Sequence, residues 1–204
     1  NMATEEKVQK DQDPEFEFDF LVDEDDEIEI TIDVVATRDA SGKKRPLPVD
    51  VDSCRTRLSM FEDTKATLEA KLAELDPNDI DSQAERIKVE SMLSTVNEQI
   101  KTLKDLIEAP KIKLTSYWKV QDWETTCKIN SASVFTNMKG EYEYSDELNR
   151  KAKVKFLLKR WNIKNKKGNP IPVSEVSRVD GAVVEAFLFA YDRFMAMSKL
   201  EAKN

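Results

Sequence analysis

The sequence predicts an α+β fold, in which an N-terminal β-hairpin and a third strand pack with C-terminal helices. An antiparallel coiled-coil helical hairpin is inserted into that unit. Apolar and acidic residues alternate with period two over much of residues 15–34, the pattern of half-buried strands. Apolar residues recur at alternating spacings of four and three in residues 52–108, the pattern of a coiled coil. Beyond residue 145 the apolar residues recur at helical spacing.

The N-terminal part is predicted to be an acidic tail followed by the β-hairpin. Residues 1–13 are polar, acidic and aperiodic, which is typical of a disordered tail. The apolar positions of the two expected strands are Phe16, Phe18, Phe20 and Val22, then Ile28, Ile30, Ile32 and Val34. Acidic residues 23–27 form the expected turn, and residues 41–42 and 46–48 are interpreted as loops because they contain Gly or Pro.

Residues 52–108 are predicted to form the coiled-coil arm. The first seam consists of Cys54, Leu58, Phe61, Leu68, Leu72 and Leu75, and the second of Val89, Leu93, Val96, Ile100, Leu103 and Ile107. Asp-Pro-Asn at residues 76–78 breaks the helix, and a short turn makes the two helices antiparallel. Whether the arm projects or packs back is left open.

Residues 14–50 and 110–200 are predicted to form one small α+β domain, because a short β-hairpin is not stable alone in water. The elements expected after the arm are a strand at residues 112–114, a helix at residues 117–133, a loop at residues 136–145, a helix from Ser145 that carries Trp161 at its end, a loop at residues 162–172 and a helix at residues 173–199.

Composition argues against an enzyme. The chain has no histidine, which removes the commonest general base and transition-metal ligand. Its four glycines do not have the spacing of a nucleotide-binding loop, and Cys54 and Cys127 do not have that of a metal site. Asp122 and Glu124 are expected to be surface charges, and the acidic residues 23–27 to be a solvated turn. We therefore expect no catalytic residues, no metal and no cofactor.

Charge is distributed unevenly along the chain. Residues 1–33 contain fourteen acids and two lysines, whereas residues 148–169 contain nine Lys or Arg and no acid. The basic run could bind nucleic-acid phosphates, or it could be a solvated face that meets the acidic N-terminal strands. The net charge of −8 opposes nucleic-acid binding at long range, so nucleic acid is not the expected partner.

The C-terminal part carries a family resemblance. Residues 156–163 read Phe-Leu-Leu-Lys-Arg-Trp-Asn-Ile, residues 168–174 read Gly-Asn-Pro-Ile-Pro-Val-Ser, and an apolar helix follows. This part resembles small tail assembly chaperones and related minor proteins of long-tailed bacteriophages, in which a helix ending in Trp-Asn precedes a polar turn and a further helix. The acidic hairpin and the arm depart from that pattern.

The resemblance implies a non-enzymatic role in binding other tail proteins, notably the tape-measure protein. It implies that Trp161 anchors a helix end, that Gly168 and Pro170 set the turn, and that the last helix presents an apolar surface. The candidate partner-binding residues are Trp161, Ile171, Phe187, Tyr191 and Phe194, and the candidate charge contacts are Arg150, Lys164, Lys166 and Lys167.

The sequence therefore predicts a phage-type assembly or virion-associated protein that acts through protein–protein contacts. We expect it in the bacterial host cytoplasm or in the virion, with no membrane span, since no apolar run is long enough. Two alternatives are a nucleic-acid-associated accessory protein that uses residues 148–169 and a coiled-coil adaptor unrelated to phage. Narrow seams can also pair between chains, so a homo-oligomer is left open.

Overall fold

The computed structural model describes residues 26–76 and 80–201 and confirms the α+β class. The elements in chain order are β1 (Glu27–Arg38), β2 (Lys44–Val49), α1 (Val51–Glu74), α2 (Ile80–Glu108), β3 (Lys111–Lys119), α3 (Trp123–Ala132), β4 (Val134–Thr136), β5 (Tyr142–Tyr144), α4 (Asp146–Leu157), β6 (Leu158–Trp161), a 3-10 helix (Val173–Arg178) and α5 (Gly181–Glu201). Four strands form an antiparallel sheet in the order β2-β1-β3-β6, and β4 pairs with β5 in a separate hairpin.

The main core lies between one face of the sheet and helices α3, α4 and α5. Ile28 and Ile30 of β1 and Trp118 of β3 contribute the sheet side of this core, because alternate residues of a strand share a face. Trp118 is fully buried, and its indole N–H donates to the Ser116 hydroxyl at 2.8 Å. Ser116 donates in turn to the Ile30 carbonyl at 3.4 Å, so the buried polar groups are satisfied.

The arm between β2 and β3 confirms the predicted seams. Two clusters of apolar side chains run along α1 and α2, and together they contain all twelve predicted seam residues. Ion pairs from Lys71 to Glu85 and from Lys104 to Glu62 join the helices at 2.6 and 2.9 Å. At the base of the arm Val35 and Val49 pack against Cys54 and Leu103, which fixes the arm to the sheet.

The N-terminal half differs from the prediction at residues 46–48. Residues 46–48 are not a loop but belong to β2, which tolerates two prolines because it is an edge strand and needs few backbone donors. The predicted first strand at residues 15–22 and the tail at residues 1–13 lie outside the described residues. The second predicted strand is β1, which pairs with both β2 and β3.

Expectations for the C-terminal half are corrected at four places. Residues 117–119 are the end of β3, and the helix predicted there begins only at Trp123. Residues 136–145 are not a loop throughout, because they contain the end of β4 and all of β5. Trp161 lies on β6 and not on a helix, since α4 ends at Leu157. The last predicted helix is divided into the 3-10 helix and α5, and Asp180 at the junction accepts a hydrogen bond from the Ala182 N–H at 3.0 Å.

Three tight turns share one sequence pattern, an Asp or Asn followed three residues later by Gly. They are Asp39 to Gly42, Asn137 to Gly140 and Asn165 to Gly168. In each turn the side chain accepts backbone N–H groups from within the turn, and the glycine has a positive φ of 76° or 82°. Glycine is favoured there because its lack of a Cβ removes the steric penalty of that conformation.

Candidate protein-binding surface

The β4–β5 hairpin presents apolar side chains to solvent on both of its faces. All six strand residues are exposed, and Tyr142 and Tyr144 keep 82% and 58% of their surface accessible. Tyr144 lies opposite Val134, and Tyr142 lies opposite Thr136, so the two tyrosines share a face. Phe135 occupies the other face. We call the set Val134, Phe135, Met138, Tyr142 and Tyr144 the hairpin surface.

The base of the hairpin is fixed firmly between α3 and α4. Ser133, which is fully buried, accepts a hydrogen bond from the Ser145 N–H at 2.8 Å through its carbonyl. Its hydroxyl donates to the Ile129 carbonyl at 2.6 Å and accepts from the Asn149 side chain at 3.0 Å. Ser145 also accepts a hydrogen bond from the Leu148 N–H at the start of α4. The two ends of the hairpin are therefore held by neighbouring helices.

The tip of the hairpin is also fixed by hydrogen bonds. The Asn137 side-chain oxygen accepts the N–H groups of Lys139 and Glu141 at 2.9 and 3.0 Å. Its amide nitrogen donates to the carboxylates of Glu141 and Glu143 at 3.2 and 2.6 Å. Because both base and tip are constrained, the exposed aromatic rings are presented on a backbone that loses little freedom on binding.

The chemistry of the hairpin surface suits contact with another protein. Tyrosine and phenylalanine provide large contact areas with few rotatable bonds, and tyrosine adds a polar tip that can hydrogen-bond at a wet rim. A two-stranded hairpin with apolar groups exposed on both faces is only marginally stable by itself in water. Burial of these side chains against a partner would remove that disadvantage.

The predicted residues Phe187 and Tyr191 lie in the main core and not on a surface. Each keeps only 1% of its surface exposed, and the Tyr191 ring stacks on Trp118 with centroids 5.0 Å apart. The Tyr191 hydroxyl donates to the Lys119 carbonyl at 3.3 Å. Burial, with a smaller contribution from the neighbouring Asp192 charge, raises the pKa of Tyr191 to about 12. These two side chains therefore hold α5 on the sheet.

Trp161 and Ile171 lie together at the edge of the main core. Both are half-buried and pack against it, and the Trp161 indole N–H donates to the Ile171 carbonyl at 2.5 Å. The bond ties the end of β6 to the segment that leads into the 3-10 helix. Phe194 lies further along α5 with 46% of its surface exposed and is not part of this cluster. The five predicted apolar residues thus do not form one surface.

The predicted charge contacts are divided between a helix and a loop. Arg150 on α4 pairs with Glu185 of α5 at 3.3 Å. Lys164, Lys166 and Lys167 are exposed on or next to the turn that begins at Asn165. Among the described residues, five of the nine basic residues in the run make ion pairs with acids: Arg150, Lys151, Lys153, Lys159 and Arg160. Much of the basic run thus lies against acids of this chain.

The hairpin surface is absent from the sequence-based candidates, although a signal for it exists. Val134-Phe135 and Tyr142-Glu143-Tyr144 flank the Asn137 to Gly140 pattern, which is a turn signature. Two strands of three residues are too short to produce a convincing alternation, so the segment reads as a loop.

The described residues contain no cluster of three or more side chains of the types that bind metals. None of the helices in residues 26–76 and 80–201 has the length and apolar character that a membrane span requires. Comparisons with family models, with curated proteins and with solved structures found no match to this chain.

Proposed function

We propose that this protein is a non-enzymatic assembly protein that binds another protein through the hairpin surface. The observation that carries the proposal is the exposure of Tyr142 and Tyr144 on a hairpin whose base and tip are both fixed by hydrogen bonds. Aromatic anchors on a rigid backbone are the features that supply most of the binding energy in protein interfaces. The arm supports the proposal as a second extended element, about 36 Å long along α1.

The setting we propose is phage-type assembly, in the bacterial host cytoplasm or in the virion. It is supported by the resemblance of the C-terminal part to tail assembly chaperones. In that setting the expected partner is a tail protein. Tail or capsid genes on either side of the coding sequence would favour this setting, and their absence would count against it.

The hairpin surface is tested by affinity purification of the tagged full-length chain from the cells that naturally contain it. We expect one protein to be recovered in near-stoichiometric amount with the native chain. Recovery should fall at least about tenfold with Tyr142→Ser/Tyr144→Ser, because loss of a hot-spot aromatic costs about 2 kcal/mol or more. The matched control is Met60→Ser/Ile87→Ser, which removes two exposed apolar side chains from the arm.

Three results would decide between the claims. Equal recovery with the hairpin variant and the native chain would contradict the hairpin surface. Loss with the arm variant alone would assign binding to the arm. Recovery of a stoichiometric partner that is not a tail protein would be consistent with the assembly role but would contradict the phage setting.

A further inference from the structure

Within residues 26–76 and 80–201, half of β1 has an open edge. β3 pairs with residues 27–35 of β1, and on the opposite side β2 pairs only with residues 33–38. Within the described part of the chain no strand flanks residues 27–32 on the β2 side. Alternate N–H and C=O groups of a strand point away from each neighbour, so this edge is a template for one more strand of about five residues.

Beside the open edge lies an apolar surface that no described element covers. A cavity of about 530 Å³ separates this part of β1 from α5, and Ile32, Ala186, Phe189 and Ala190 are among the residues that line it. Phe189 keeps 70% of its surface exposed, although it lies between the buried Leu188 and the half-buried Ala190. A strand added to β1 would place alternate side chains over this surface.

We propose that the occupant of this edge is the chain's own segment 18–22. The segment lies outside the described residues, and the chain resumes at Asp26, directly before β1. Residues 23–26 are all acidic and long enough to form a hairpin loop. Phe18, Phe20 and Val22 alternate with Asp19 and Leu21, so that a single face of the added strand is apolar throughout.

The pairing register follows from two constraints. The Phe side chains must share a face with Ile28 and Ile30, which belong to the main core. The strand must also end before Asp33, which already pairs with Val49 of β2. Both are met when Val22 lies opposite Ile28, Phe20 opposite Ile30, and Phe18 opposite Ile32. Asp19 then lies opposite Thr31 on the solvent face of the sheet.

Charge at the end of the sheet favours the same arrangement. Glu27 contacts Arg160 at 2.7 Å and Lys159 at 3.8 Å, so basic side chains of β6 surround the point where β1 begins. A hairpin loop of acidic residues 23–26 would lie next to them. The added strand would also occupy an edge that could otherwise pair with another chain.

The proposal is tested by disulfide trapping in the full-length chain. All variants carry Cys127→Ser, because Cys127 is exposed, whereas Cys54 is buried and stays. Asp19→Cys/Thr31→Cys places two thiols opposite each other on adjacent strands, within the distance that a disulfide requires. The matched control is Asp19→Cys/Thr115→Cys, since Thr115 lies opposite Thr31 on β3 and is thus one strand further from residue 19.

We expect the Asp19→Cys/Thr31→Cys pair to form an intrachain disulfide at least about tenfold faster than the control pair, because the control Cα atoms are more than about 7 Å apart. Equal rates would overturn the proposal. Disulfides found only between chains would assign the edge to a second copy, which also overturns it. So would the absence of any disulfide in a chain whose circular dichroism is native.

A second measurement needs no cysteine. Hydrogen exchange of the amides in residues 28–32 that point away from β3 should be slow in the native chain. It should accelerate at least about tenfold in full-length Phe18→Ser/Phe20→Ser, since each serine removes a side chain that anchors the strand. Unchanged exchange in this variant would contradict the proposed occupant.

Discussion

Removal of the Tyr191 hydroxyl group tests whether this side chain is buried in the core. Tyr191→Phe keeps the ring that stacks on Trp118 and deletes the hydrogen bond to the Lys119 carbonyl. At about pH 8 we expect the variant to be less stable than the native chain by about 1 kcal/mol, the usual net contribution of one such bond.

The difference in stability between the two chains should become smaller at higher pH. Burial raises the pKa of folded Tyr191 to about 12 from its ordinary value of 10.0. Because the folded state holds the proton more tightly, the stability due to this group is complete below the unfolded pKa and is lost as pH rises toward the folded value. By about pH 11 the loss is about 1.4 kcal/mol, of the same size as the contribution of the hydrogen bond, so the two chains should then be about equally stable.

The assay is urea denaturation followed by circular dichroism, on both chains at about pH 8, 9, 10 and 11. Taking the difference between the chains cancels the titration of every other tyrosine and lysine. A difference that stays constant across this range would refute the reasoning, because it would mean that the Tyr191 hydroxyl ionises as readily in the folded state as in the unfolded chain.

Three further predictions concern single side chains. Phe187→Ala should lower the free energy of unfolding by about 3–5 kcal/mol in a urea titration. Met138→Ala changes a fully exposed position, so its free energy of unfolding should stay within about 0.5 kcal/mol of the native value. Similar losses in the two variants would contradict the assignment of Phe187 to the core. Trp161→Phe should cost about 1 kcal/mol because it leaves the Ile171 carbonyl without its donor, and an unchanged midpoint would show that the bond contributes nothing. Hydrogen bonds from Ser41 and Arg45 lower the pKa of Asp39 to about 2. An NMR titration should find this pKa in the native chain and a higher one in Ser41→Ala. The same pKa in both chains would show that the hydrogen bond from Ser41 does not lower it.

The arm and the start of α4 are predicted well because their signals are local. A coiled-coil seam repeats many times along one helix pair, so all twelve seam residues pack as the spacing indicates. Ser145 and the acids after it carry the start signal of a helix within four residues. Neither prediction requires knowledge of a distant part of the chain.

The errors occur where tertiary contacts decide the structure. Pro46 and Pro48 suggest a loop, but their strand lies at the edge of the sheet, which only the strand order reveals. Trp118 and Trp161 look like helix anchors, because large apolar residues at helical spacing fit a helix as well as a strand. Pairing between β3 and β6, whose partner residues are 40 to 45 positions apart in the chain, places both on strands instead.

The exposure of the candidate site could not be predicted from the sequence for a related reason. Periodicity indicates which apolar residues share a face of a helix, so the sequence predicts the contact surface on the apolar face of the last helix. Phe187 and Tyr191 prove to be the most deeply buried part of that face, whereas Tyr142 and Tyr144 are exposed. Burial depends on which elements pack together, so the difference between core and contact surface becomes visible only in the fold.

Hydrogen exchange on the complex with the recovered partner tests the central claim most directly. The amides of residues 134–144 should exchange at least about tenfold more slowly in the complex than in the free chain, because the partner covers the hairpin and suppresses its opening. The arm and α5 should exchange at unchanged rates. Slower exchange confined to residues 51–108, with the hairpin unchanged, would contradict the claim that the hairpin surface binds the partner.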